Sequence, residues 1–281
     1  MSPNYPSITI IGIARSKTQG DGNMCHGICK LCLQMKKLRD SHFIPRAMYK
    51  YLRTTSEKDP NPVVIGRTRE ATTSRQMRDY LLCAKCEDLF NKNGENEILK
   101  WVWNGKRFPL GDRLAVAVPL SLDPSVTPSF SGTSIGVDAE KLAYFALSVL
   151  WRAAVHEWDL PFGGKTTLLN LGTIEEPIRK YLLGMAGLPP EVVVVAMACT
   201  DPLSIQAFST PSRVRGYPGT CFAILTLGIY FRVLIGSGIT PESREICCAM
   251  SKMRPIFQRD CSQKTSESLA QIIGFSSTGR N

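Results

Sequence analysis

At 281 residues, 43% hydrophobic and 21% charged, the chain is long enough to bury a sizeable core and too apolar to be disordered throughout. No apolar run reaches the roughly 18 residues of a membrane span; the nearest, Cys221 to Phe231, stops at Arg232 and has the length of a buried strand. Net charge is +10 and unevenly shared: residues 1–107 hold 19 Lys/Arg against 10 Asp/Glu, whereas residues 108–281 hold 15 against 14. An excess of +9 in one region is what a phosphate-binding surface needs, because each neutralised phosphate releases counterions. A basic surface that only keeps a protein soluble carries the same sign.

Residues 1–24 form an N-terminal lead. Its short apolar patch precedes its basic residues, the reverse of a secretory signal, so the expectation is a soluble, cytoplasmic protein with no membrane partner. TQGDGN reads as a flexible joint, and Met24 behind it is a candidate start. Residues 25–107 are the cysteine module. Within it the polar TTSEKDPNPVVIGRTREATTSRQ reads as an excursion, and EDLFNKNGENEILKWVW spaces its apolar residues as a helix that Gly94 breaks in two. Residues 108–137 are dense in proline and glycine and read as a linker region, with one strand in LAVAVPLSL.

The stretch 138–260 reads as a second, α+β unit. Asp138 caps a helix over DAEKLAYFALSVLWRAAVHEW, with Leu142, Phe145, Val149 and Leu150 as its apolar stripe. EEPIRKYLLGMAG predicts another helix, ended by Gly187 and Pro189-Pro190. Strands are predicted in EVVVVAMAC, SIQAFST and CFAILTLGIYFRVLIG, and Thr240-Pro241 opens a helix through ESREICCAMSKM. Residues 261–281 are a polar tail. This half is near neutral, contains no chemistry-bearing motif, and suits a protein partner or an oligomer contact. The fold class expected is α+β throughout.

Ten cysteines without a secretory signal argue against a disulfide framework. Four of them form two CxxC pairs, Cys29/Cys32 and Cys83/Cys86, and two such turns present four thiolates to one ion at about 2.3 Å, the closed geometry of structural zinc. The fifty residues from Leu33 to Leu82 exceed the usual separation of such pairs, which leaves two unrelated turns as the alternative. A redox pair is disfavoured because no βαβ context surrounds either turn. Cys25 and His26 are spare ligands, while Cys199 and Cys221 sit among apolar residues as core positions.

CKLC, LRDSHFIP and LLCAKCEDLFN together resemble the zinc-containing branch of the HNH (ββα-metal) endonucleases, including bacterial proteins with Ser-His-x-Ile-Pro and Leu-Leu-Cys-x-x-Cys-Glu. The resemblance covers residues 25 to about 100. It implies an HNH-like ββα module, a β-hairpin packed on a helix, that holds a divalent metal against a scissile phosphate of nucleic acid, with DNA favoured over RNA. By position His42 is the general base, and an imidazole near pKa 6.5 can accept a proton from water at physiological pH. Two departures stand out: Ser41 replaces the acidic residue that usually precedes the histidine, and Arg78 falls where an asparagine is common. Glu87 and Asn91, four apart on a helix, are then the candidate ligands of a catalytic ion, and oxygen donors suit Mg²⁺ or Mn²⁺. Arg39, Arg46 and Lys85 are candidates to clamp neighbouring phosphates.

Each role has a plainer alternative. His42 can serve as a hydrogen-bonding scaffold, Glu87 can complement the helix dipole, and Asn91 can cap or face water. Trp101 and Trp103 can stack on bases or simply pack, and His156 reads as a core or boundary residue. The rival to a metal-dependent endonuclease is a non-catalytic zinc module that docks nucleic acid or a protein.

Overall fold

The structure is a computed structural model and describes residues 25–53, 61–65, 70–160, 163–217 and 219–260. The N-terminal lead, part of the polar excursion and the polar tail lie outside the described residues. Among those described, no helix is long and apolar enough to cross a membrane.

Strands β1 (His26–Ile28) and β2 (Met35–His42) pair as a hairpin around the first CxxC turn. Pro45 then directs the chain into α1 (Arg46–Tyr51). The excursion holds a small hairpin, β3 (Val63–Ile65) with β4 (Glu70–Thr72), before β5 (Arg78–Cys83) returns antiparallel to β2. Leu38 faces Cys83 and Asp40 faces Tyr80, so Leu81 and Leu82 together oppose Arg39. That extra residue is a β-bulge, and it breaks the alternation of faces: Leu81, Leu82 and Cys83 are all buried.

Helix α2 (Ala84–Phe90) starts directly at Cys83 and runs through a π-turn, Asn91–Glu95, into α3 (Asn96–Trp101). Gly94 therefore does not break the helix as its sequence predicts. A side chain there would place its Cβ 3.0 Å from the Cα and N of Phe145, so the glycine lets two helix backbones touch. Asn96 N–H bonds back to Asn91 O, the wider spacing that defines the π-turn.

Residues 108–137, expected as a linker, hold α4 (Pro109–Leu114), β6 (Ser129–Ser131) and α5 (Gly132–Ile135). The strand predicted in LAVAVPLSL is absent. The alternating apolar residues are there, but Pro119 lacks an N–H, and Val116, Val118 and Leu122 are left in water. Helix α6 (Ala139–Val155) is where the sequence places it, with the Asp138 carboxylate accepting from Lys141 N–H at 3.2 Å. Instead of one apolar stripe it is buried on every side, because it lies between the helix of residues 84–101 and a large sheet.

Helix α7 (Glu175–Leu182) ends earlier than its glycines and prolines predict. Gly184 takes φ 71°, Gly184 N–H bonds Tyr181 O at 2.9 Å, and Met185 N–H bonds Lys180 O at 2.9 Å, the paired bonds of a Schellman cap. The fully buried β7 (Val192–Cys199) follows. SIQAFST, predicted as a strand, gives α8 (Pro202–Ile205) and an isolated bridge at Phe208, since Asp201 caps and Pro202 starts a helical turn. β8 (Ser212–Val214) precedes a hairpin of β9 (Thr220–Thr226) and β10 (Ile229–Ile235). Its two turn residues, Leu227 and Gly228, both have positive φ, which matches the right-handed twist of the strands.

Helix α9 (Pro241–Glu245) is one short turn rather than a helix through Met253. β11 (Pro255–Arg259) completes a sheet ordered β6-β11-β7-β10-β9-β8. The larger of two apolar clusters joins the cysteine module to this sheet: Leu82, Phe90 and Ile98 belong to the same buried cluster as Phe145, Val194 and Phe231, while Val193, Val195 and Leu234 belong to the smaller one. The architecture is α+β, with a four-cysteine cluster near its N-terminal end.

Candidate metal centre and the histidine beside it

The β1–β2 turn carries Cys29 and Cys32; Cys83 closes β5, and Cys86 lies in the first turn of α2. Their four sulfurs all lie within 4.8 Å of one another, with Cys32 and Cys83 at 3.9 Å. Four sulfurs at about 2.3 Å from one tetrahedral ion stand about 3.8 Å apart. None of the four is in a disulfide. The bulge contributes directly, because it turns Cys83 inward beside two buried leucines.

Local hydrogen bonding favours negative sulfur. Cys29 Sγ accepts the Cys83 N–H at 3.3 Å. The Cys29 thiol is pulled down to about 4, chiefly by the hydrogen bond from Cys86, and backbone N–H groups of Cys32, Cys83 and Leu31 outweigh part of the opposing burial. Cys86 is pushed up by the same hydrogen bond and by burial, and Cys32 is pushed up by burial first. A bound cation would favour the thiolate form of all four and displace their protons. Cys83 is the N-cap of α2, so the positive end of the helix dipole also favours charge on these sulfurs. The donor set fits a structural metal such as zinc. Cys25 and His26 lie outside the cluster.

Two features lock the first turn. Leu33, next to Cys32, adopts φ 59°, which lets its N–H bond the Cys29 carbonyl at 2.8 Å. Arg179 of α7 donates to the Leu31 carbonyl at 2.6 Å, so the distant half of the chain holds this turn in place.

His42 ends β2 and is half-buried. Its Nε2 lies 2.6 Å from Gln76 Oε1, and its ring stands 6.1 Å from that of Tyr49. With the amide oxygen accepting, Nε2 carries the proton and Nδ1 keeps a lone pair. Burial pulls the imidazole below its ordinary range, opposed by the Gln76 bond and by Asp40, so it is neutral at physiological pH.

Ser41, on the opposite face of β2, is buried; its hydroxyl accepts the N–H of bulged Leu82 at 3.1 Å and donates to Glu87. Glu87 therefore reaches the strand on the side turned away from His42. Its carboxyl is pushed up by burial, while Arg152 and the Ser41 bond oppose the shift. Asn91 follows one turn later, half-buried, where the π-turn begins. Asp40 points outward into an ion pair with Arg78. Behind Glu87, Arg152 of α6 is buried over the face of Phe90 at 4.6 Å. It pairs with Glu95 and donates to the Phe43 carbonyl at 2.9 Å.

Arg39, Arg46 and Lys85 are exposed, and none is in an ion pair among the described residues. Trp101 donates to Glu97 at 2.7 Å and packs, as does Trp103, on the core. His156 is half-buried, 3.0 Å from Asp79 and edge-on to Trp158. Sequence reasoning missed Gln76, Glu95 and Arg152. An arginine inside an apolar helical run was the one available signal, since such a charge requires a buried partner. No protein-family model, curated protein or solved structure matches the chain.

Proposed function

We propose that the chain is a cytoplasmic, zinc-stabilised nucleic-acid-binding protein whose β2, β5 and α2 form an HNH-like ββα unit. The observation that carries this reading is the four-sulfur cluster, which ties the β1–β2 turn, β5 and α2 to one point on the side of the chain that holds the excess charge. Lys36, Lys37, Arg39, Arg46, Lys50 and Lys85 face water there. Metal analysis of the purified protein is expected to give one zinc per chain, lost in Cys29→Ser. Binding to a DNA duplex or single strand is expected to weaken steeply as salt rises; an affinity indifferent to salt counts against any phosphate-binding role.

A second reading, a metal-dependent endonuclease, is favoured by one observation, the Gln76 amide oxygen 2.6 Å from His42 Nε2, which leaves Nδ1 with its lone pair. In it His42 takes a proton from water, the resulting hydroxide attacks phosphorus, and the phosphodiester bond to the leaving oxygen breaks. Glu87 and Asn91 are the candidate Mg²⁺ or Mn²⁺ ligands, and because Glu87 bonds Ser41 on the side of β2 turned away from His42, this reading requires Glu87 to leave that hydroxyl and turn toward the histidine. Cleavage of plasmid and single-stranded DNA with Mg²⁺ or Mn²⁺, abolished in His42→Ala with zinc content unchanged, supports the nuclease. A folded, zinc-loaded protein inert with both ions leaves the binding role.

A further inference from the structure

Helix α1, Arg53, Asn61, Pro62, Ser74 and Gln76 line an open cavity of about 460 Å³. Arg46, Lys50 and Arg53 line one side. Arg46 and Lys50, four apart, share a face of α1, and Arg53 follows just past its C-cap, so three like charges repel there unless something neutralises them. Among the described residues none of the three is in an ion pair, and none of the described lining residues is acidic.

The facing wall adds neutral polar side chains, Asn61, Ser74 and Gln76. Gln76 gives its amide oxygen to His42, which leaves its NH₂ as a donor. Tyr49, whose ring neighbours His42, lines the same cavity, so the basic pocket and the histidine share two residues.

We propose that this cavity binds a phosphate monoester, presented as the terminal phosphate of a nucleic-acid strand. A phosphodiester inside a strand carries one charge and leaves in two directions. A terminal phosphate carries up to two, which suits the three cations of Arg46, Lys50 and Arg53. The volume lies in the range of small-ligand pockets and has room for a phosphate with its sugar. The strand-end source rests on the nucleic-acid reading above, while the pocket does not.

The test uses the full, metal-loaded chain and one short single strand in three forms: 5′-phosphorylated, 3′-phosphorylated and unphosphorylated. A nucleoside 5′-monophosphate serves as a fourth probe. Fluorescence anisotropy is expected to show one phosphorylated end binding about tenfold more tightly than the hydroxyl end, a preference lost in Lys50→Gln/Arg53→Gln. Circular dichroism and zinc content establish that the variant is folded, and competition by inorganic phosphate on the wild type needs no variant. If strands bind without end preference, or not at all, while the monophosphate binds wild type and not the variant, the pocket stands and its ligand is a free nucleotide. Failure to bind any strand is what removes the nucleic-acid reading. No end preference among the strands, together with no monophosphate binding, overturns the pocket whether or not strands bind.

Discussion

At the scale of single residues, His42 shows how a side chain's neighbours decide what it can do. Its imidazole is depressed by burial, so the folded protein binds the proton less readily than the unfolded chain does. The sign of the pH effect follows: above the unfolded pKa of about 6.5 stability is undiminished, and it falls as pH drops from there through the folded value. His42→Gln is expected to flatten that acid limb of the melting temperature against pH; an unchanged limb assigns it to other groups. The histidine was legible from its motif. Gln76 was not, because the contact spans 34 residues and a glutamine in a polar stretch carries no pattern. The four cysteines were legible because CxxC spacing encodes the geometry of a turn locally. What Cys29 and Cys86 share electrostatically follows only from their approach in space.

Among the elements, the helix of residues 84–101 departs most from its sequence pattern. Glycine in an apolar helical run reads as a break, yet Gly94 serves as the contact point with α6. Gly94→Ala is expected to destabilise by about 1–3 kcal/mol, since two backbones must separate to admit one methyl group; a denaturant titration measures it. The π-turn around it carries Glu95 to Arg152. Arg152→Met is expected to cost about 3–5 kcal/mol by stranding a buried carboxylate, and Arg152→Met/Glu95→Leu to recover much of that. No recovery in the double variant shows that the hydrogen bond to Phe43 and the packing on Phe90 matter more. LAVAVPLSL failed as a strand for the complementary reason: periodicity specifies which residues can share a face, whereas a strand also needs a partner edge. β9 and β10 have each other, and their apolar run predicted strand, though not the turn between them.

Across the whole molecule, the central helix α6 makes the metal cluster a matter for the entire fold. The cysteine module and the six-stranded sheet share one core through it, and Arg179 reaches from α7 to the first CxxC turn. Chelation, or Cys83→Ser, is therefore expected to lower the melting temperature of the full chain in a single transition. Two separate transitions, with the later one untouched by chelator, mark the halves as independent. The α+β class, the long central helix and the charge asymmetry could all be read beforehand. The common core could not, because proline and glycine in residues 108–137 look like a boundary although Leu110, Leu114, Phe130 and Ile135 are buried.

The close seating of Gly94 against Phe145 also bears on any attempt to work with the cysteine module by itself. A fragment ending near residue 107 exposes Phe90 and Ile98 along the groove that α6 fills, and it leaves Glu95 without its arginine. Such a fragment retains every zinc ligand and still presents a continuous sticky face, so aggregation on expression would report the missing helix and not a failed metal site. Dissection of this protein is better done by replacing side chains than by cutting the chain.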